Sequence, residues 1–159
     1  MRNKQKGFSL IELLIVVAII LIIAAIAIPN LLRSRMAANE ASAVGSLRTL
    51  NTAAVTYASQ CGGFPANLAA LGPPASGGNP DCTRADLIDE VLASGSKSGY
   101  DFLYNAADAN SDGNMDTYTI NADPITPGTT GTRHFFTDQS GVIRQSLTGA
   151  ADQTSPPIS

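Results

Sequence analysis

Side chains that carry oxygen recur at alternate positions in the stretch DANSDGNMD. The candidate ligands that this spacing offers to a cation are Asp108, Asn110, Asp112, Asn114 and Asp116. Their order, with a glycine at the sixth position, matches the first half of an EF-hand calcium loop. The twelfth position is Thr119, so the bidentate glutamate of that loop is absent. Because Asp, Asn and Gly also build tight turns between strands, the stretch is either a calcium site or a bare turn.

Other arrangements that could carry out chemistry are missing from the sequence. The one histidine, His134, stands between Arg133 and Phe135 in a predicted strand, with no neighbouring nucleophile, so we assign it a structural role. The serines form no nucleophile elbow, and the sequence has no glycine-rich loop suited to a phosphate. The sequence therefore predicts a protein that is not an enzyme and that has no cofactor besides the candidate calcium ion.

The two cysteines, Cys61 and Cys82, allow one disulfide bond. A metal site would need further thiol or imidazole ligands, and the chain has only one distant histidine. Two free thiols are the alternative, but we favour the disulfide. It would close a loop of about twenty residues and contribute roughly 3 kcal/mol by restricting the unfolded chain. Such a bond persists in an oxidising compartment.

An apolar run lies near the start of the chain. From Leu13 to Ile28, sixteen consecutive residues are Leu, Ile, Val or Ala. Counted from Phe8 the segment has twenty-one residues, and at about 1.5 Å per helical residue it reaches roughly 30 Å, the thickness of a bilayer core. Glu12 interrupts this segment. A carboxylate in hydrocarbon is costly, which indicates that it has a function.

Charge is distributed unevenly along the chain. Arg2, Lys4 and Lys6 precede the apolar run and favour leaving that end in the cytoplasm. The residues after them include seven basic and thirteen acidic side chains, which argues against nucleic acid as a partner. A secretory signal peptide, with AIA as its cleavage site, or an ordinary signal anchor would explain the apolar run. Neither alternative explains a Gly7-Phe8 junction followed four residues later by a carboxylate.

The segment KGFSLIELLIVVAIILIIAAIAIPN, from Lys6 to Asn30, resembles the N-terminus of type IV pilins and of the pseudopilins of type II secretion. A basic leader ends at Gly7, Phe8 follows, and Glu12 comes four residues later. The resemblance implies that a prepilin peptidase in the membrane cleaves after Gly7 and methylates the new amino group of Phe8. It also implies that Glu12 pairs with the Phe8 amine of a neighbouring subunit during fibre assembly.

Elementary electrostatics supports that role for Glu12. Cleavage would create a cation at the first residue of a helix in lipid, and a nearby carboxylate is favoured by the amine and by the helix dipole. Within one chain Phe8 and Glu12 are one turn apart, so the pair is partly satisfied internally. Between two staggered subunits the same pair would set the axial register.

A helical pattern continues beyond Pro29, although proline removes a backbone donor and should kink or loosen the helix around Ala25 to Pro29. The alternative is that the membrane helix ends at this proline. Apolar residues at spacings of three or four oppose it, namely Val44, Leu47, Leu50, Ala54 and Tyr57. We therefore predict one helix from about Phe8 to Ser59 with an amphipathic second half, ended by the CGGFP stretch.

The rest of the chain predicts a small antiparallel sheet. A short helix in TRADLIDEVLASG, with Thr83 as its N-cap, falls within a connecting loop. Strand signals in YDFLY and DTYTIN, and in RHFFT and VIRQ, predict two hairpins and about four strands. The predicted fold class is therefore α+β, a long N-terminal helix packed on a small antiparallel sheet. This layout also matches the pilin fold.

The predicted organisation has six segments. They are a leader (1–7), the transmembrane or fibre-core half of the long helix (8–29), its amphipathic half (30–60), a connecting loop with the short helix (61–99), the sheet (100–147) and a mobile tail (148–159). The tail is expected to be mobile because its residues are mostly small and polar and include prolines.

The resemblance implies a structural subunit of a type IV pilus, which polymerises into a surface filament for adhesion, motility or DNA uptake. Before assembly the chain would be a single-pass inner-membrane protein with its C-terminal domain in the periplasm. Its partners would be the membrane, the prepilin peptidase, other copies in a helical homopolymer, and an inner-membrane assembly platform with its ATPase. The alternatives are a pseudopilin of type II secretion, which an occupied calcium site would favour, and an anchored periplasmic domain that never polymerises.

Overall fold

The computed structural model describes residues 8–74 and 78–158. The chain divides into two compact units, Met1–Arg35 and Met36–Ser159, and we call the second unit the head. Helix α1, Leu10–Cys61, begins in the first unit and ends in the head, which also contains the strands. The predicted α+β class is confirmed, whereas the leader, 1–7, lies outside the described residues.

Helix α1 begins and ends two residues later than predicted. Pro29 lies inside it, so the alternative in which the helix stops at this proline is wrong. Proline leaves the Ala25 carbonyl without its usual donor four residues on. In the same turn, the Asn30 side-chain amide donates to the Ile26 carbonyl at 3.0 Å. The helix therefore continues past the proline with one backbone hydrogen bond fewer.

Within the head, one face of α1 belongs to the core. The buried residues of this face are Glu40, Ala43, Ser46, Leu47, Leu50, Ala53, Ala54 and Tyr57. They recur every three or four positions, as expected of an amphipathic helix. The strands contribute Tyr100, Phe102, Tyr118, Ile120, Ala122 and Phe135 to the same apolar cluster. Val44, which the sequence pattern also assigned to this face, is only partly buried.

The sheet has five antiparallel strands, where about four were predicted. They are β1 Ser96–Lys97, β2 Tyr100–Ala107, β3 Thr117–Pro124, β4 His134–Asp138 and β5 Arg144–Ser146, in that spatial order. The additional strand β1 pairs with the first two residues of β2. Two residues carry no detectable alternation of apolar and polar side chains, so sequence patterning could not reveal this strand.

The connecting segment differs from the prediction of a helix capped by Thr83. Helix α2 spans only Glu90–Ala93, with Asp89 as its N-cap. The Asp81 carboxylate accepts from the amide and the hydroxyl of Thr83 and closes a tight turn there. The amides of the two residues before Asp89 donate to the Leu71 carbonyl. Because these donors are already paired outside a helix, α2 begins only after them.

The predicted disulfide between Cys61 and Cys82 is confirmed, with the two Cα atoms 5.8 Å apart. It joins the last residue of α1 to the connecting segment across a sequence separation of 21 residues. Beside it, the Tyr57 hydroxyl donates to the Cys82 carbonyl at 2.5 Å. The covalent link contributes roughly 3 kcal/mol by restricting the unfolded chain, and the hydrogen bond fixes the same junction.

A buried ion pair fixes α1 to the segment before β4. The Glu40 carboxylate is 9% exposed and accepts from Arg133 Nε at 2.8 Å. It also accepts from the amide and the hydroxyl of Thr132, at 2.8 and 2.9 Å. Burial, the largest single influence, raises the pKa of Glu40, but the hydrogen bonds from Thr132 and Arg133 together hold this pKa below its ordinary value. Glu40 is therefore a charged group in the folded head.

The segment that was predicted to be a mobile tail is packed on the sheet. Ala151 is buried, and its carbonyl accepts from the Asn121 side-chain amide at 2.8 Å. Further along, the Ile158 amide donates to the Ile143 carbonyl at 3.0 Å. The small polar residues and prolines suggested mobility, but these contacts with distant parts of the chain hold the segment in place.

Candidate assembly site at the start of the long helix

Glu12 caps the first turn of α1. Its Oε2 accepts from the Ser9 amide at 2.9 Å, and the Leu13 amide donates to the Ser9 carbonyl at 3.2 Å. Ser9 is therefore at the N-cap position and Glu12 is the third helical residue, and their contact is one of the two hydrogen bonds that make up a capping box. The bond pairs one oxygen of Glu12 with a backbone donor, while the residue remains exposed at the end of the helix.

The predicted processing residues lie directly before this turn. Phe8 is 81% exposed, and Gly7 lies outside the described residues. An amine created at Phe8 by cleavage would stand one residue before the Ser9 amide, at the same end of the helix as the Glu12 carboxylate. The sequence analysis did not predict the capping contact between the Glu12 carboxylate and the Ser9 amide. The pattern S-x-x-E before an apolar run was the signal that could have revealed it.

The first unit presents an apolar surface that the described part of the chain leaves uncovered. Its exposed large side chains are Phe8, Leu10, Ile11, Leu13, Leu14, Ile15, Val16, Val17, Ile19, Ile20, Leu21, Ile22, Ile23, Ile26, Ile28, Leu31 and Leu32. The helix is long and apolar enough to cross a membrane, judged by length and composition. Since so much exposed apolar surface is unfavourable in water, the segment requires lipid or other apolar helices around it.

The candidate calcium loop is a turn closed by its own side chains. Asp108 accepts from the Ser111 amide at 2.7 Å and from the Gly113 amide at 2.9 Å. The hydrogen bond from Gly113 is the largest influence that holds the pKa of Asp108 below its ordinary value. Asp116 accepts from the Ala109 amide at 2.9 Å. Two of the other candidate ligands make bonds of the same kind, since Asn110 accepts from the Asp112 amide and Asp112 accepts from the Asn114 amide.

A calcium ion at this loop stays a prediction. In residues 8–74 and 78–158, no group of three His, Cys, Asp or Glu side chains is placed to hold a metal ion. The hydrogen bonds account for the Asp, Asn and Gly composition as turn chemistry, because Asp108, Asn110, Asp112 and Asp116 each accept from a nearby backbone amide. The loop therefore has an evident role in closing the hairpin between β2 and β3.

We expect Asp108→Asn to loosen this turn. An amide side chain keeps one acceptor oxygen and loses the other, so the Ser111 or the Gly113 amide loses its partner and its exchange with solvent should accelerate about fivefold. Asp112→Asn is the matched control, because Asp112 accepts from the Asn114 amide through a single oxygen. Hydrogen–deuterium exchange measures the exchange rates of the Ser111 and Gly113 amides in both variants.

Unchanged exchange of these amides in Asp108→Asn would contradict the role of Asp108 in closing the turn. A melting temperature raised by about 1 mM calcium, and no longer raised in either variant, would establish the ion site instead.

His134 makes a cross-strand contact. Its Nδ1 lies 2.6 Å from Asp123 Oδ1, between β4 and β3. Asp123 is in turn the partner of Asp101 in the pairing of β3 with β2. The imidazole therefore stands at the end of a short row of acidic residues, and it forms an ion pair with Asp123 when it is protonated. The contact joins two strands, which agrees with the structural role predicted for this histidine.

Sequence comparison assigns the start of the chain to a known class. The profile described as the prokaryotic N-terminal methylation motif matches residues 2–28. This range contains the capped first turn and most of the uncovered apolar surface. The chain therefore carries the N-methylation motif of type IV pilins.

The chain is homologous to two curated type IV pilins. It is 46% identical over 71 residues to the type IV wide pilus major component PilA4 of Thermus thermophilus, a match that covers 45% of this chain and 53% of that protein. It is 46% identical over 57 residues to the type IV major pilin protein PilA of Myxococcus xanthus, covering 36% of this chain and 26% of that protein. The chain thus spans about half, or less, of the length of these relatives. No solved structure matches the chain.

Proposed function

We propose that this chain is a structural subunit of a type IV pilus, without catalytic activity. The observation that carries the proposal is the coincidence of the methylation motif over residues 2–28 with the apolar surface that begins at Phe8 and ends at Leu32. Both relatives are named as pilus components. A subunit whose polymer has an apolar core needs a surface of this kind. Function then comes from the filament, in adhesion, motility or DNA uptake.

Processing at the start of the chain is the first step of the proposed pathway. A prepilin peptidase cleaves after Gly7 and methylates the new amino group of Phe8. Two observations support cleavage at this position. Phe8 is 81% exposed, and α1 begins only at Leu10, so Phe8 itself lies before the helix. A residue within a helix would have to unwind before a peptidase could bind it in an extended form.

Glu12 guides assembly in this proposal. Its capping bond to Ser9 holds the carboxylate at the end of α1, where a neighbouring subunit can present its Phe8 amine. Unpaired charges are costly in an apolar environment, so the register that brings amine and carboxylate together is favoured over others. Pro29, which removes one backbone hydrogen bond, gives the fibre-core part of the helix a place to adjust as it packs.

The same pathway determines location and partners. The subunit first spans the inner membrane once, with the head in the periplasm, where the Cys61–Cys82 bond fits an oxidising compartment. An inner-membrane platform and its ATPase then move the subunit into a helical homopolymer. During this step the apolar helix exchanges lipid contacts for contacts with other copies of itself. A pseudopilin of type II secretion would share the motif and these steps, but its fibre would stay within the envelope.

Mass spectrometry of the N-terminus tests the proposal. The protein is recovered from membranes and from sheared surface material of the same culture. We expect a chain that begins at N-methylated Phe8 in the sheared filaments. A processed chain confined to the membranes would favour the pseudopilin. A chain in which Gly7 is still joined to Phe8 would contradict the proposal and favour an anchored domain that does not polymerise.

A further inference from the structure

The outer edge of the sheet at β5 is covered by a later segment of the same chain. The Gln145 amide donates to the Pro156 carbonyl at 2.9 Å, and the Ile158 amide donates to the Ile143 carbonyl at 3.0 Å. Because β5 is the last strand in the sheet, its outer side would otherwise present unpaired backbone donors and acceptors. We call Ala151–Ile158 the capping segment.

Side-chain contacts also hold the capping segment on one face of the sheet. The Asn121 side-chain amide donates to the Ala151 carbonyl at 2.8 Å, and Ala151 is 2% exposed. Asn121 is the partner of Phe136 in the pairing of β3 with β4, so the two side chains share a face, and Phe136 is 7% exposed. The Arg144 guanidinium donates to the Ser155 carbonyl at 3.0 Å. The segment is therefore attached both to a sheet face and to a sheet edge.

Pro157 closes the new edge that the capping segment creates. It stands opposite Arg144 in an antiparallel bridge, between the hydrogen bonds made by Pro156 and Ile158. In such a ladder the residue between two hydrogen-bonded positions directs its own backbone nitrogen and carbonyl away from the partner strand. The nitrogen of Pro157 therefore faces outward. Proline has no N–H, so the exposed edge has no donor at this position.

Strand β5, which the capping segment covers, and the residues beside it have the composition of a segment that pairs readily with copies of itself. The sequence VIRQSL, from Val142 to Leu147, combines β-branched and apolar residues with one charge and no proline. Leu147 is 72% exposed and Val142 is 38% exposed. An uncovered β5 edge would thus offer backbone groups and apolar side chains together to a second strand.

We propose that the capping segment prevents a second copy of this chain from adding to the sheet at β5. The surface that it protects is the β5 side of the sheet, which includes the β5 edge that the segment covers and the new edge on which Pro157 lies. The excluded partner is another head that would pair with either edge strand to strand. This role concerns the head alone and goes beyond the proposed pilus function, since it holds whether or not the chain polymerises through α1.

Two substitutions disturb the cap in different ways. Pro157→Val restores an outward-facing N–H while the segment stays in place. Ile158→Asp introduces a charge at a side chain that packs, partly buried, against the core, and should release the end of the segment. Pro80→Val is the matched control, because Pro80 is an exposed proline outside helices and strands. It removes the same ring constraint from the unfolded chain.

The full chain and its variants are compared in the same detergent by analytical ultracentrifugation and hydrogen–deuterium exchange. We expect Pro157→Val and Ile158→Asp to associate at concentrations at least about tenfold lower than the wild type does, and Pro80→Val to match the wild type. The Gln145 amide should exchange faster in Ile158→Asp. Wild-type association of Pro157→Val would overturn the proposal. So would an Ile158→Asp protein in which Gln145 exchange shows an open edge and association is unchanged.

Discussion

Glu12→Gln is expected to remove surface filaments as completely as Glu12→Ala. Both substitutions delete the charge that we propose pairs with the Phe8 amine of a neighbour. In the wild type the Ser9 amide donates to Glu12 Oε2 at 2.9 Å. Glutamine can still accept this hydrogen bond, whereas alanine cannot, so only Glu12→Ala also removes the helix cap. Loss of one partner of a buried charge pair costs about 3 kcal/mol. Each subunit addition would then be disfavoured about a hundredfold, enough to prevent a filament from growing.

The amount of the chain in sheared material relative to membranes measures this effect. Ser9→Ala is the control, since it keeps the backbone amide that donates to Glu12. We expect every strain to contain processed monomer in the membrane. Normal filaments in Glu12→Gln and none in Glu12→Ala would assign Glu12 to helix capping alone. Normal filaments in both strains would exclude it from assembly.

The helix and the central strands could be predicted from the sequence because their patterns are local. The apolar residues of α1 recur at helical spacing through Leu47 and Leu50, and the same residues are buried in the head. The central hairpin of β2 and β3 could be recognised because polar turn residues separate two runs rich in aromatic and β-branched residues. Neither inference required a partner distant in the chain.

The conformations of the connecting segment and of the capping segment could not be predicted in the same way. The start of α2 depends on amides that pair with the Leu71 carbonyl, which lies in an earlier part of the connecting segment. The capping segment is held by hydrogen bonds with Asn121 and with the β5 edge. These bonds stabilise an ordered conformation for residues whose composition alone suggests mobility. In both cases non-local hydrogen bonds override local propensity.

Among the candidate functional residues, too, some could be predicted from the sequence and others could not. Glu12 could be singled out because one carboxylate in an apolar run is costly, whatever surrounds it. The pattern between Asp108 and Asp116 is ambiguous, since calcium loops and tight turns use the same residues. The structure shows the hydrogen bonds of a turn there, which composition could not distinguish from ligand positions.

Glu40→Gln is expected to lower the free energy of unfolding of the head by about 2 to 3 kcal/mol. The variant keeps an oxygen for Thr132 but loses the charge that faces Arg133 Nε at 2.8 Å. This loss of stability is smaller than that expected for breaking a fully buried ion pair, because the Arg133 side chain is 37% exposed and water can solvate it. Glu90→Gln makes the same chemical change at an exposed glutamate and should change stability by less than about 0.5 kcal/mol. The chain has four tyrosines and no tryptophan, so near-ultraviolet circular dichroism of tyrosine follows denaturation.

The contribution of Glu40 should also depend on pH with a definite sign. Burial raises its pKa, but the hydrogen bonds from Thr132 and Arg133 outweigh burial and hold the pKa below the ordinary value of 4.5. A carboxyl whose pKa is lower in the folded than in the unfolded state stabilises fully above its unfolded pKa, and this stabilisation is lost as the pH falls through the folded pKa. The difference in unfolding free energy between the wild type and Glu40→Gln should therefore stay constant from about pH 7 to about pH 5 and shrink below it. Carboxyls such as Asp108, whose pKa is also lowered, are common to both proteins and cancel in this difference. A difference that grows on acidification would show that Glu40 is not stabilised as a charged group.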